Sequence, residues 1–270
     1  MVAKRAKSGL SVVEPIQYLL GAGSGALVGF VLGLVGGGGS ILAVPLLLYV
    51  VGVRDPHVAI GTSALAVAAN AAMGMANHAR QGTVKWRCAL LFAAAGIAGA
   101  FLGSTGGKAF DGNRLLFLFA LVMVLVGVLM LRKRGSEGDP HVRLGRENAP
   151  KLLGYGLGAG AFSGFFGIGG GFLIVPGLVA ATGMPMLNAI GSSLVGVTAF
   201  GLTTAFNYAL SGLVNWLLAA AFIAGGALGS IAGTTLARRL ADQRGALTSI
   251  FATGLFAVAA YMLWKTAAAW

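Results

Sequence analysis

Eight stretches of this chain, at 16–35, 58–79, 87–105, 114–132, 152–167, 188–210, 216–236 and 246–264, are apolar over roughly the length that crosses a bilayer. A helix needs about 20 such residues to cross about 30 Å of hydrocarbon. No long hydrophilic region remains between them for a separate soluble domain. Only 10% of the residues are charged, where soluble domains carry about 25%. The chain therefore belongs in a membrane. Its net charge of +12 would in a soluble protein point to nucleic acid. Here the Lys and Arg residues lie at the ends of apolar stretches, where membrane topology accounts for them, so no nucleic-acid partner is expected. The one cysteine, Cys88, excludes an intrachain disulfide or a multi-cysteine metal site. The N-terminal "KRAK" has the look of a signal-peptide n-region, but the stretch after it is too long and glycine-rich for a cleaved leader and is expected to be retained.

The second half repeats the first. "GLVGGGGSILAVP" at 33–45 returns as "GFFGIGGGFLIVP" at 164–176, and "AIGTSAL" at 59–65 returns as "AIGSSLV" at 189–195. "NHARQGTVKW" at 77–86 meets "NYALSGLVNW" at 207–216, and Gly96, Gly99 and Gly103 meet Gly226, Gly229 and Gly233. The offset is 131 and then 130 after one deletion. Such self-similarity marks an internal duplication. Between the copies lies "RKRGSEGDPHVRLGRENAPK", a polar and basic linker at 132–151 expected in the cytoplasm. The expected fold is an all-α polytopic membrane protein of 8–10 membrane segments. Residues 1–131 form one repeat, 132–151 the linker and 152–270 the second repeat, each repeat with about five helical segments.

In each repeat the segment after the glycines (40–53 and 171–183) is too short for an upright span. If it returns the chain across or through the membrane, each half crosses an odd number of times and the copies are inverted. If it only dips in alone, the copies are parallel. Summed Lys and Arg counts hardly separate the two. The loop after 80 does: it carries Arg80, Lys85 and Arg87, where the second copy has Leu210, Asn215 and Leu217. Loss of these charges is expected if the second loop lies on the other face, so inversion is favoured.

Irregular backbone at membrane depth is tolerated where it is buried in protein or lines a cavity. A glycine break followed by a new helix exposes that helix's first N–H groups and positive dipole end, a ready anion site. In transporters with repeated halves such broken helices form the substrate site. The candidate substrate-binding residues are therefore Gly36, Gly37, Gly38, Gly39 and Ser40, with Gly167, Gly169, Gly170 and Gly171 in the second copy. Thr62, Ser63, Ser192 and Ser193 could donate hydroxyl bonds to an anion, or bond back to the preceding turn. Asn77 and Asn207 are further candidates, or they tie helices together. Pro45 and Pro176 have a structural role, each removing a backbone donor and kinking its short helix. Glycines spaced along the later helices read as close-packing positions. His78, His57 and His141 read as interfacial or loop residues. No acidic residue lies well inside an apolar stretch, which argues against a carboxylate proton relay or a cation site and for an anionic substrate.

The paired phrases, "GLVGGGGSILAVPLLLYVVGV…AIGTSAL" and "GFFGIGGGFLIVPGLVAATGM…AIGSSLV", resemble the TauE/SafE family of sulfite exporters over 16–265. The resemblance implies a transporter of the bacterial inner membrane, built from two homologous halves, that exports sulfite, sulfoacetate or related organosulfonates. Gly171 stands where the first copy has Ser40, so the half-sites differ chemically. The expected mechanism is alternating access at the repeat interface. The alternative is a transporter of the same fold for a carboxylate or a metal ion. No enzyme activity, cofactor or metal site is expected, because an intramembrane enzyme needs a nucleophile–base pair or metal cluster. Expected partners are a small anion and membrane lipid; a coupling proton or sodium ion and a homodimeric state stay open.

Overall fold

A computed structural model describes residues 15–132, 144–167, 171–239 and 256–265, and among these the chain is helical with no strand. Most of the linker, Gly169, Gly170 and the stretch 246–255 lie outside the described residues. The helices are α1 (Pro15–Val35), α2 (Ala43–Pro45), α3 (Pro56–Arg80), α4 (Trp86–Ala109) and α5 (Gly112–Arg132) in the first half. The second half has α6 (Ala149–Phe166), α7 (Gly171–Thr182), α8 (Met186–Ala209), α9 (Trp216–Arg239) and α10 (Phe256–Lys265). Five of them are long and apolar enough to cross a membrane: Pro15–Leu34, Pro56–Arg80, Trp86–Ala109, Leu187–Ala209 and Trp216–Leu236.

Local chemistry sets the ends. Asp55 caps α3 by accepting from the N–H groups of His57 (2.8 Å) and Val58 (3.4 Å), and Pro56 occupies the first turn, where its missing N–H costs nothing. The turn after α3 contains Gly82 at φ +69°, and the turn after α8 contains Gly212 at the same φ. A β-carbon is disfavoured in that left-handed conformation.

Glycines set how the helices pair. Gly21, Gly25, Gly29 and Gly33 of α1 face Leu218, Phe222, Gly226 and Ser230 of α9. Gly156, Gly160 and Gly164 of α6 face Phe92, Gly96 and Ala100 of α4. A β-carbon on Gly29 or Gly160 would overlap the opposing glycine's carbonyl. Contact this close depends on the missing side chains. Gly99, Gly103, Gly229 and Gly233 likewise lie against a neighbouring helix backbone, the packing role expected of them.

The residue pairs also fix direction. Numbers rise together along α1 and α9, and along α4 and α6. Thr62 bonds Asn215, and Asn70 lies on Gly226, so α3 and α9 are parallel. Phe200 lies on Gly96 and Asn207 bonds Ser104, so α8 and α4 are parallel. Numbers run oppositely between α3 and α8: Gly61 faces Tyr208, Gly201 faces Ala64 and Ala68, and Gly74 faces Leu194. Thus α1, α3 and α9 run one way, and α4, α6 and α8 the other. The segments matched by sequence, α1 with α6, α3 with α8 and α4 with α9, thus point in opposite directions.

Because α1 and α3 run the same way, residues 36–55 must bring the chain back. Gln17 near the start of α1 donates to the carbonyl of Val51 (2.9 Å), so the return reaches the level where α1 began. The short segment is a full return rather than a shallow dip. The stretch Gly36–Leu42 is wound tightly as 3-10 helix, passes through α2, and widens to a π turn at Leu46–Val50. The widening follows Pro45, which has no N–H for the regular ladder.

Candidate functional site

In the first glycine phrase the chain does not break as the sequence suggests. It stays helical through Gly36–Leu42, and Gly39 presses on the backbone of Val31 and Leu32, leaving no room for a side chain. Winding to i→i+3 bonds keeps these N–H groups occupied instead of opening them. The second phrase does end a helix. Gly167, at φ +68°, closes α6 with its N–H on the Ser163 carbonyl, and α7 begins at Gly171 with Pro176 inside it. The phrases also sit at different depths. Gly33 adjoins Ser230 and Thr234 in the second half of α9, whereas Gly167 abuts Ile60 in the second turn of the parallel helix α3.

The hydroxyls beside the phrases have protein partners. Thr62 Oγ1 accepts from the backbone N–H of Asn215 (3.0 Å), and Ser192 Oγ accepts from the N–H of Lys85 (2.9 Å). Each thus caps the start of a helix in the opposite half, α9 and α4 respectively. Ser63 and Ser193 donate back to the carbonyls of Ile60 (2.9 Å) and Ile190 (2.7 Å), the local alternative to an anion for these groups. Ser63 Oγ also lies 3.5 Å from the Gly167 carbonyl, tying α3 to the second phrase. Ser40 is fully buried.

Asn207 joins two helices. Its amide nitrogen donates to Ser104 (2.6 Å) and Thr105 (2.9 Å) of α4, and its amide oxygen accepts from Lys108 Nζ (2.7 Å). Lys108 also donates to Ser211 Oγ (2.9 Å). Asn77, its counterpart, is half-buried near the end of α3. His78, 2% exposed, has its Nδ1 3.0 Å from Thr83 Oγ1 within the α3–α4 turn. Arg80, Lys85 and Arg87 gather at that end. At the other end a cleft of about 200 Å³ is lined by Tyr49, Arg54, Asn113 and Lys265, among others.

Among the described residues, four fully buried polar side chains have atoms that lack a hydrogen-bond partner: Asn70 on α3, Ser163 on α6, and Thr204 and Tyr208 on α8. Asn70 lacks one at both its Nδ2 and its Oδ1. It lies near the middle of α3 against Gly226 in the middle of α9, where a β-carbon would overlap the amide. The matched phrases do not reveal Asn70, because its counterpart is Phe200, which lies against Gly96 and stacks on Phe92 at 6.2 Å. A lone Asn in the middle of an apolar span is the signal that could have found it. The described middle turns of α1, α3, α4, α6, α8 and α9 contain no Asp, Glu, Lys or Arg.

The sequence profile described as "Sulfite exporter TauE/SafE" matches residues 21–262. A "Probable membrane transporter protein" of Xylella fastidiosa strain Temecula1 is 54% identical over 246 residues, covering 90% of this chain and 94% of that protein. The chain belongs to the TauE/SafE family. A more distant relative is the probable membrane transporter protein YunE of Bacillus subtilis, 28% identical over 237 residues, or 80% of this chain and 87% of that one. No solved structure matches the chain. The family and the apolar helices together make this an integral membrane protein and a membrane transporter.

Proposed function

We propose that this TauE/SafE transporter exports small sulfur-containing anions, sulfite or organosulfonates such as sulfoacetate, by alternating access between its two halves in a bacterial inner membrane. The observation that carries the reading is the family match over 21–262. The interior agrees with it, because the described middle turns offer neutral hydrogen-bonding groups and no carboxylate that would repel an anion. In this reading Gly36–Ser40 border one approach to the centre and Gly167 and Gly171 the other, with Ser63 beside Gly167 and Ser193 its counterpart in the second half. Asn77 and Asn207 border the outer ends. The end bearing Arg80, Lys85 and Arg87 faces the cytoplasm, where basic residues collect and where they would draw anions to the entrance.

The test is flux in proteoliposomes of the purified protein. Labelled sulfite and sulfoacetate are expected to cross, with competition from methanesulfonate and none from acetate or malate. Uptake of a carboxylate with no uptake of either sulfur anion would refute the proposal.

A further inference from the structure

We infer that Asn70 is the central substrate contact, and that it takes a singly charged oxyanion. The inference deepens the sulfur-anion reading and rests on it. Three observations meet at this residue. Its amide is fully buried with neither end bonded, although a buried amide is normally satisfied. It lies midway along α3, in depth between the two glycine phrases. It also continues a polar line on α3, since Ser63, Asn70 and Asn77 are seven residues apart and so project from nearly one face. That line runs about 21 Å, from the Ser63 hydroxyl beside Gly167 to the far end of the helix. The equivalent line on α8 is Ser193, Phe200 and Asn207, and the Phe200 ring interrupts it at mid-depth. The route therefore follows α3.

The chemistry of the amide narrows the ligand. Its NH2 donates to the oxygens of a sulfonate or bisulfite, and its carbonyl accepts from a protonated oxygen or from a hydroxyl or amino group on the substrate. The described middle turns hold no cation to compensate a second negative charge. A dianion would lose its hydration there without a partner, so bisulfite is carried and the sulfite dianion is not. Gly226 is what leaves space for the amide, just as Gly96 leaves space for Phe200.

The test compares wild type with Asn70→Leu, in proteoliposomes and by thermal unfolding in detergent. Labelled sulfite uptake at sub-saturating concentration should fall at least tenfold in Asn70→Leu, while the unfolding midpoint stays level or rises because an unbonded amide has been removed. Wild-type uptake at fixed total sulfite should increase as pH falls and bisulfite replaces sulfite, while methanesulfonate uptake stays flat. Uptake by the Asn70→Leu variant within twofold of wild type, or a lowered midpoint, would overturn the assignment of Asn70; sulfite uptake that rises with pH would overturn the charge selection. If wild type moves no sulfur anion, the sulfur reading fails. The midpoint still decides whether the amide is structural, and a fall would overturn Asn70 separately.

Discussion

Thr62 and Ser192 read in the sequence as hydroxyls for an anion, and in the fold each caps a helix of the opposite half. Removing them separates the two roles. Thr62→Val keeps the shape and strands the N–H of Asn215; Ser192→Ala strands that of Lys85. A stranded buried donor costs about 1–3 kcal/mol, and a lost helix cap about 0.5–2 kcal/mol. Both oxygens are at buried residues, 0% and 1% exposed, so water replaces them poorly. We therefore expect about 1–2 kcal/mol for each. For a chain of this size that is a fall of about 2–8 °C in Tm, using about 2–4 °C per kcal/mol. The caps lie at opposite ends of the bundle and share no partner, so the double variant should lose about the sum. The assay is thermal unfolding in detergent together with KM for sulfite in proteoliposomes. Capping predicts a lower midpoint with KM within about twofold of wild type. An unchanged midpoint with a raised KM would refute the capping argument and return these hydroxyls to the substrate.

Three further outcomes follow from the packing. Gly29→Val and Gly160→Val should yield no monodisperse protein on gel filtration, since a side chain at either would overlap a backbone carbonyl, whereas Gly23→Ala and Gly158→Ala should behave as wild type, having nothing within 4 Å of the added carbon. Asn207→Ala unties α8 from Ser104, Thr105 and Lys108, and should lower stability by about 1–3 kcal/mol in denaturant titrations. In a Cys88→Ser background, Arg80→Cys and Gly212→Cys should react with an impermeant maleimide from opposite faces of the membrane, because α3 and α8, which lead into these turns, run in opposite directions; labelling from one face would refute the opposed directions.

Much of the fold is legible in the sequence because hydrocarbon leaves the backbone few options. The apolar window 58–79 becomes Pro56–Arg80, and 216–236 becomes Trp216–Arg239. The charge-stripped loop at 210–217 foreshadows the opposed directions. The site is less legible, for two physical reasons. Glycine runs signal a departure from the α-helix but not which one, and the first phrase tightens to 3-10 winding where the sequence suggests an open break. A hydroxyl beside a glycine is equally suited to an anion and to a stranded backbone N–H, and only the folded partner, 153 residues away for Thr62, tells them apart. Asn70 is hidden for another reason. Comparing the copies finds what they share, and Asn70 is where they differ.

That difference allows a demanding test of the inverted scaffold. Gly96 leaves room for the Phe200 ring, and Gly226 leaves the corresponding room for the Asn70 amide, at matched positions of α4 and α9. Each cradle should therefore tolerate the other's side chain. Asn70→Phe alone should fold, since Phe200 already shows a ring beside such a glycine, and it should transport at least tenfold more slowly. Phe200→Asn alone opens the line on α8 and removes the stack with Phe92; loss of a buried aromatic ring costs about 3–5 kcal/mol at most. The double exchange, Asn70→Phe with Phe200→Asn, moves the amide to the inverted position. If the halves are equivalent by inversion, uptake returns to within about tenfold of wild type, and the KM values measured from the two faces of the membrane trade places. A double variant that folds, yet stays as inactive as Asn70→Phe, would show that the two cradles are not equivalent, and the inversion argument would fail at its centre.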